Sequence, residues 1–382
     1  MPNVSTVKEF LLLSFSEVRE LQLVHAVLFL LVYLAALTGN LLIVAVTAFD
    51  RCLRTPMYFF LRNLSLIDLC YISVTVPKSA VISLTDRRAI SLPGCAAQVF
   101  SVVMFGGSEI FLLTAMSYDR YAAICLPLRY ELIMTNTACG TMAAASWLTG
   151  VMFGVLYSSS TFSLSFCGSN IIQQFFCDIP SLLKISCSED HVIVDVTVTC
   201  GVAIVVICLV SIVVSYVHIF RAVLRMPAAE SRAKAFSTCL PHLAVVIVFL
   251  LTGTFTYVKP PVSDSPSTLD LLLSISYTVM PPALNPLIYS LRNRDMKAAL
   301  GRVISCSEDH VVSDVSITGG VAIVDVCLVS IVVSYISCSE DHVVSDVSIT
   351  GGAVLVVVCL VFIVVSYTFL SSPSTSRTDE ME

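Results

Sequence analysis

Three consecutive polar side chains, Asp119, Arg120 and Tyr121, follow a long apolar stretch that contains one carboxylate, Glu109. A guanidinium beside a carboxylate forms a charge-assisted pair, and Arg120 can exchange that pair for an external partner. Glu109 precedes Arg120 by eleven residues, close to three turns at about 3.6 residues each. The spacing therefore predicts one helix face with a buried acid at its middle and a switchable cation at its end.

A second carboxylate, Asp68, lies in the preceding apolar stretch. Ionisable groups inside a bilayer cost several kcal/mol unless they face the protein interior and find partners. Two acids in neighbouring segments favour a shared cation or proton, and Asn40 and Asn285 are candidates to complete the polar centre. One interpretation is a sodium-type ion site at Asp68 and Glu109. The other is a water-filled packing network without an ion.

Length and composition indicate an integral membrane protein. Of the 382 residues, 57% are apolar and only 13% are charged, with a net charge of −6. A helix needs roughly 20 apolar residues to cross a bilayer, and only helices satisfy their backbone in lipid at that length. Seven stretches before residue 300 meet this requirement, at about 24–48, 57–77, 97–118, 140–160, 196–217, 237–258 and 270–290. The sequence predicts an all-α fold, a seven-helix bundle over residues 24–300 with a short amphipathic helix after span seven.

Basic residues set the expected orientation. They concentrate in the loops after spans one, three, five and seven, at Arg51, Arg54, Arg129, Arg221, Arg225, Arg232, Lys234, Arg292, Arg294, Lys297 and Arg302. The positive-inside rule then places residues 1–23 outside, as an extracellular tail, and both Arg120 and the C-terminus in the cytoplasm. Residues 1–23 lack the pattern of a cleavable signal peptide, so we expect span one to act as its own signal. Asn3-Val4-Ser5 is a glycosylation acceptor in that tail.

Four cysteines fall in the predicted outer loops, namely Cys95, Cys167, Cys177 and Cys187. An even set on the oxidising side predicts two disulfides, and four cysteines allow three pairings. A bridge from Cys95 to one cysteine of the long loop before span five would hold that loop over the mouth of the bundle. The remaining two would form a bridge within the loop.

Prolines interrupt the last two spans. Pro241-His242 lies in span six and Asn285-Pro286 in span seven, and proline removes a backbone hydrogen bond and permits a kink. We expect Asn285 to satisfy the carbonyls that Pro286 leaves free, and His242 to be a packing residue. The sequence contains no nucleophile triad, nucleotide-binding loop or metal-ligand spacing, so no enzyme activity is predicted.

The tail, residues 301–382, repeats an earlier segment. Residues 304–335 and 336–367 nearly match 185–216 and follow each other without a gap. With two basic and ten acidic side chains the tail has a net charge of −8, which leaves +2 on residues 1–300. The plain interpretation is a duplicated coding segment or an artefact of gene prediction. If it is expressed, it adds two spans.

Several stretches resemble the vertebrate olfactory (odorant) receptors, a branch of the rhodopsin-like (class A) G-protein-coupled receptors. In chain order they are Gly39-Asn40, PMYFFLRNLSLIDLCYISVTVPK at 56–78, MSYDRYAAICLPLRY at 116–130, FFCDIPSLLKISC at 175–187, SY at 215–216, KAFSTCLPHLAVV at 234–246 and PPALNPLIYSLRN at 281–293. The resemblance covers about residues 5–300. It implies an odorant receptor of the plasma membrane that binds small volatile ligands and activates a stimulatory G protein, which raises cyclic AMP.

The resemblance also implies roles for single residues. The G-protein switch would comprise Asp119, Arg120, Tyr121, Tyr216, Asn285, Pro286 and Tyr289. The ligand pocket would be lined by Val103, Gly106, Gly107, Cys200, Ile204, Gly253 and Tyr257. Disulfides would join Cys95 to Cys177 and Cys167 to Cys187, and Asp68 with Glu109 would line the ion site, with sodium as the only cofactor. No nucleic-acid partner is implied.

The chain departs from this family in two places. The family usually has Phe-Tyr-Gly-Thr in span six, where this chain has Phe249-Leu250-Leu251-Thr252. The tail beyond Leu300 has no family counterpart. Two other functions therefore stay open, a non-signalling product of a damaged receptor gene and an ion-coupled transporter that uses Asp68 and Glu109. The absence of inverted repeats argues against the transporter.

Overall fold

The chain forms a bundle of long helices in a computed structural model. The structure describes residues 9–13, 18–50, 53–85, 87–166, 169–188, 191–258, 268–292, 296–299 and 301–302, without the side chains of residues 49, 254–258, 268–274 and 291–292. The helices are α1 Arg19–Phe49, α2 Pro56–Thr85, α3 Leu92–Cys125, α4 Tyr130–Ile133, α5 Asn136–Phe162, α6 Ile179–Ile185, α7 Val192–Leu224, α8 Ala229–Val258 and α9 Thr268–Arg292. The tail from residue 303 onward, with both repeats, lies outside the described residues, as does Asn3.

Among the described residues, six helices are long and apolar enough to cross a membrane, namely α1, α2, α3, α5, α7 and α8. These six coincide with the first six predicted spans. The seventh predicted span lies within α9, which contains Pro281, Pro282 and Pro286. Residues 296–299 are helical within the predicted amphipathic segment 291–300. Helix α3 begins before its apolar run, where Ser91 caps it; the Ser91 hydroxyl accepts a hydrogen bond from the Gly94 N–H at 3.2 Å.

A small β-sheet, absent from the sequence-based prediction, covers one end of the bundle. Its strands are β1 Glu9–Leu12, β2 Ala89–Ser91 and β3 Ile171–Ile172, with β1 in the centre. Strand β1 runs antiparallel to β2 and parallel to β3. The Phe10 side chain is fully buried and packs edge-on against Phe166 at 5.4 Å between ring centroids. Part of the predicted N-terminal tail is thus a structural element, and α1 begins at Arg19.

Helix α3 occupies the centre of the bundle and packs against α2, α5, α7 and α8. Its contact with α5 is close because glycines replace side chains there. A Cβ on Gly154 would lie 2.9 Å from the Phe100 ring and from the Phe100 carbonyl oxygen. A Cβ on Gly150 would meet Ser108 and the Met104 carbonyl oxygen. Small residues at such contacts let helices approach closely in lipid, which fixes the position of α3.

Candidate functional site: a polar centre and a paired arginine

The structure brings Asp68 of α2, Glu109 of α3 and Asn285 of α9 together in the middle of the bundle. The Asn285 amide donates to Asp68 Oδ2 at 2.9 Å and to Glu109 Oε1 at 3.4 Å. All three side chains are buried. One amide thus contacts two carboxylates whose charges repel each other when both are ionised. The convergence predicted from the sequence is present in the fold.

The amide of Asn40, which was expected to complete the polar centre, binds backbone carbonyl oxygens instead. Pro286 has no N–H, so the carbonyl of Pro282, one turn earlier, loses its helical partner. The Asn40 amide donates to that Pro282 oxygen at 2.8 Å and to the Ala36 oxygen at 2.9 Å. The expectation that Asn285 satisfies the freed carbonyl is therefore wrong, because Asn285 uses its amide on the two carboxylates.

Several buried oxygen atoms around this centre have no hydrogen-bond partner within the described part of the chain. They are Asn40 Oδ1, Asp68 Oδ1, Asn285 Oδ1 and the Tyr289 hydroxyl. Buried polar atoms normally find partners, so each such atom indicates a ligand or ordered water. A set made only of oxygen donors with two carboxylates suits a hard cation. The residues present therefore fit a sodium-type ion.

At the C-terminal end of α3, Arg120 is paired with its neighbour. Arg120 Nε donates to Asp119 Oδ2 at 3.0 Å, and Nη2 forms an ion pair with the same oxygen. The Tyr130 hydroxyl donates to the other oxygen, Oδ1, at 2.7 Å. Burial, with the nearby Asp119 charge as a smaller cause, raises the pKa of Tyr130. Arg120 thus binds one oxygen of the Asp119 carboxylate and Tyr130 binds the other. The ion pair with Asp119 keeps the Arg120 side chain within the bundle.

Beside Arg120, His242 connects three helices. Its Nε2 lies 3.0 Å from the Leu113 carbonyl oxygen of α3, and its Nδ1 lies 2.7 Å from the Tyr216 hydroxyl of α7. A carbonyl oxygen only accepts, so Nε2 must carry the proton and Nδ1 accepts from Tyr216. Both ring nitrogens of this buried histidine are satisfied, as a packing role requires. The same bonds fasten α8 to α3 and α7.

The remaining switch candidates surround the arginine. The Arg120 charge acts on Tyr216 and Tyr289, which places both near the guanidinium. Tyr121 faces α7, where its ring lies 5.8 Å from that of His218. Pro286 packs against Gly39, on which a Cβ would lie 2.9 Å from Pro286 Cβ. The predicted switch residues with described side chains therefore border one region, from the polar centre to the end of α3.

The outer end of α3 is fixed by a disulfide between Cys95 and Cys177, whose Cα atoms are 5.5 Å apart. Cys187 is also disulfide-bonded, while Cys167 lies outside the described residues. Gln98, which the sequence analysis did not single out, supports this junction. Its amide donates to the Val74 oxygen at 3.0 Å, and its oxygen accepts from the Cys177 N–H at 2.9 Å. Its position as a lone glutamine inside an apolar stretch was the feature of the sequence that could have indicated this role.

The next loop residue, Asp178, is a buried carboxylate that begins α6. Its Oδ1 accepts from the Ser181 N–H at 3.3 Å, an N-cap bond. Burial raises the pKa of Asp178 to about 6, against the opposing effects of the Ser181 hydrogen bonds and the Lys184 charge. The long loop thus has a defined fold with a titratable group inside it.

The predicted ligand-pocket residues divide into three groups. Within the described part of the chain, added Cβ atoms on Gly106 and Gly253 would meet nothing within 4 Å, so no described residue fills the space beside either glycine. A Cβ on Gly107 would instead lie 3.4 Å from the Phe153 ring, which places that residue at the contact with α5. Val103 and Ile204 are half-buried and Cys200 is exposed on α7. The Tyr257 side chain lies outside the described residues.

Long apolar helices around a buried, oxygen-rich polar centre define an α-helical multi-pass membrane protein. A sequence profile described as "Olfactory receptor" matches residues 29–307. The chain is 52% identical over 304 residues to human olfactory receptor 14A2, an alignment that covers 80% of this chain and 96% of the relative. It is 54% identical over 300 residues to human olfactory receptor 14L1, which covers 78% and 92%.

The chain therefore belongs to the olfactory receptor family of class A G-protein-coupled receptors. It is a multi-pass protein of the plasma membrane, and its family is one of receptors and not of enzymes. The match to the family ends at residue 307, near the start of the first tail repeat.

Proposed function

We propose that this chain binds a small volatile odorant within the bundle and activates a stimulatory G protein, so that cyclic AMP rises. The observation that supports this mechanism best is the state of Arg120, which is paired with Asp119 inside the bundle. A cation held by an exchangeable partner at a helix end can be released to an external acceptor. In the proposed orientation the N-terminus is extracellular, the seven long helices cross the membrane, and Arg120 faces the cytoplasm.

The bonds of His242 determine what must change on activation. An outward movement of the cytoplasmic end of α8 stretches the Nε2–H bond to Leu113 and the Nδ1 bond to Tyr216. Each bond stabilises the resting state by about 0.5–1.5 kcal/mol net. The binding energy of a ligand is large enough to break both bonds. We propose that odorant binding near Gly106 and Gly253 supplies this energy.

We also propose a sodium ion at the polar centre. When bound, it would offset the negative charge of Asp68 and Glu109, and the buried oxygens of Asn40 and Asn285, which have no hydrogen-bond partner among the described residues, would be further ligands. Because α9 contributes Asn285, the ion would hold α9 against α2 and α3. Sodium should therefore favour the resting state.

The test is cyclic AMP output in cells exposed to an odorant panel, with receptor counted at the surface. Arg120→Ala should abolish the response, whereas Arg54→Ala, an exposed arginine in the first predicted cytoplasmic loop, should retain it. Odorant response that survives Arg120→Ala at equal surface level would refute the proposed switch. Ion flux that survives the substitution would favour the transporter, and retention of the unmodified chain inside the cell would favour the damaged-gene product.

The sodium proposal has a separate test. Replacing sodium by a large organic cation in the medium should shift the odorant dose–response curve to lower concentration in the unmodified chain. Asp68→Asn should remove this sodium dependence, while Asp195→Asn, an exposed acid at the start of α7, should keep it. An unchanged curve in the unmodified chain would exclude an ion coupled to activation.

A further inference from the structure

Helix α7 contacts the rest of the bundle through a narrow face. Its buried residues between positions 200 and 216 are Gly201, Cys208, Ile212 and Tyr216. Their spacing follows one side of a helix, and most other side chains of this stretch are exposed. Over this length the packing of α7 therefore rests mainly on these four residues, with half-buried Leu209 beside them.

Three of the four have defined partners. Gly201 lies against Tyr157 of α5, so closely that an added Cβ would be 2.9 Å from the ring carbon Cζ. Cys208 lies beside Thr114 of α3, close enough for the two side chains to interact. The Tyr216 hydroxyl bonds to His242 of α8. We call the surface that receives this face, formed by Tyr157, Thr114 and His242, the α7 seat.

The second tail repeat reproduces the same face. Aligned with 200–216, residues 351–367 have Gly352, Cys359, Ile363 and Tyr367 at the four buried positions. The two stretches differ only where α7 is exposed or half-buried, at Cys200, Val202, Ala203, Ile204, Ile207 and Ser211. The repeat also lacks any charged residue from 347 to 376, which is more than the roughly 20 residues that a span requires.

We propose that residues 336–367 are a second occupant of the α7 seat, able to replace α7 within the same chain. The exchange of one identical element for another is the principle of domain swapping. Small residues that permit close approach decide helix contacts in lipid, and Gly352 provides the same space for Tyr157 as Gly201. The seat therefore recognises both segments by the same contacts.

Direction distinguishes the two repeats, a step that rests on the orientation proposed above. With the end of α9 in the cytoplasm, residues 304–335 would cross outward, opposite to α7, and have Asp325 where α7 has Val206. Residues 336–367 would then cross inward, parallel to α7. Parallel direction and an uncharged span make the second repeat the matching occupant.

Native α7 has the advantage of its short connections. Residues 225–228 alone separate it from α8, and a short tether gives a high effective concentration. Ile219 and Val223 add buried contacts beyond the repeated stretch. We therefore expect α7 to fill the seat in the unmodified chain, and the repeat to take over when α7 is prevented from docking.

The first test blocks each occupant in the full-length chain and measures receptor at the cell surface. Gly201→Leu places a side chain against Tyr157 and excludes α7; Gly352→Leu excludes the repeat. Each single variant should reach the surface, whereas the double variant should be lost from it. Gly201→Leu with Gly320→Leu, which alters the first repeat, is the matched control and should reach the surface. Loss of surface receptor in Gly201→Leu alone would overturn the proposal, as would a double variant that reaches the surface.

The second test detects the contact directly and does not depend on signalling. In a chain with Gly201→Leu, Cys208→Ser and Thr114→Cys, mild oxidation should form a disulfide between residues 114 and 359 within one chain. Cys359→Ser should abolish it. Absence of this disulfide in surface receptor, or its formation only between two chains, would overturn the assignment.

Discussion

Gly150 offers a direct test of the contact between α3 and α5. A methyl group at this position would lie 3.0 Å from the Ser108 nitrogen and still closer to the Ser108 hydroxyl and the Met104 carbonyl oxygen. Two of these atoms belong to the backbone, so no side-chain rotation relieves the overlap. Gly150→Ala must therefore separate the helices or bend one of them.

The change in the free energy of unfolding caused by Gly150→Ala follows from two opposing effects. Overpacking a close contact costs about 1–3 kcal/mol, and backbone contacts place this site in the upper half of that range. Alanine in place of a helical glycine recovers about 0.4–1 kcal/mol. The expected net loss is about 1–2 kcal/mol, which lowers the melting temperature by about 1–3 °C for a chain of this size.

Gly140 of the same helix is the matched control, because an added Cβ there meets nothing within 4 Å. Gly140→Ala should leave the melting temperature unchanged or raise it. The cysteines Cys70, Cys139, Cys208 and Cys239 are buried, so a thiol-reactive fluorophore reports unfolding of the purified receptor. If Gly150→Ala melts at or above the temperature of Gly140→Ala, the close contact does not constrain these helices and the reasoning is refuted.

Three further predictions concern the two ends of the bundle. Phe10→Ala should destabilise the small β-sheet by about 3–5 kcal/mol and reduce surface receptor, whereas Leu11→Ala, at an exposed position of the same strand, should not. Because the pKa of Asp178 is about 6 in the folded chain and 3.8 in the reference state, the folded chain holds this proton more tightly. Its thermal stability should therefore fall as pH rises from about 4 to about 6, and Asp178→Asn should flatten that slope. Tyr130→Phe removes the bond to Asp119, worth about 1.5–3 kcal/mol for a charged acceptor; ligand-free cyclic AMP should rise at equal surface level, and an unchanged level would count against a restraining role.

The sequence predicted the parts of the site that obey a general energetic rule. Six apolar stretches coincide with six long apolar helices because span length is set by the bilayer. Asp68 and Glu109 meet because a buried carboxylate needs polar partners. These inferences required no knowledge of which helices are neighbours.

Contacts between distant segments could not be predicted in this way. Strand β1 pairs with residues about 80 and 160 positions further along the chain, and a four-residue strand has too weak a pattern to indicate its partners. The wrong assignment of the freed carbonyl to Asn285 instead of Asn40 had the same cause, because it depends on a contact between distant segments. The sequence showed that Pro286 frees a carbonyl, but only the packing of α1 against α9 shows which amide reaches it.

The two asparagines link the polar centre to the Arg120 region through α9. Asn40 holds the Pro282 carbonyl, and Asn285, three residues further on, holds both carboxylates. Pro286 rests on Gly39 without space for a Cβ, so α9 cannot turn about its axis unless these contacts change together. Tyr289, one turn beyond, has a buried hydroxyl with no partner in the described part of the chain and lies within the field of Arg120. A rotation of α9 that releases the carboxylates must therefore also move Tyr289 relative to the arginine. If the proposed ion occupies the polar centre, this coupling would let it bias the distant pairing of Arg120 with Asp119.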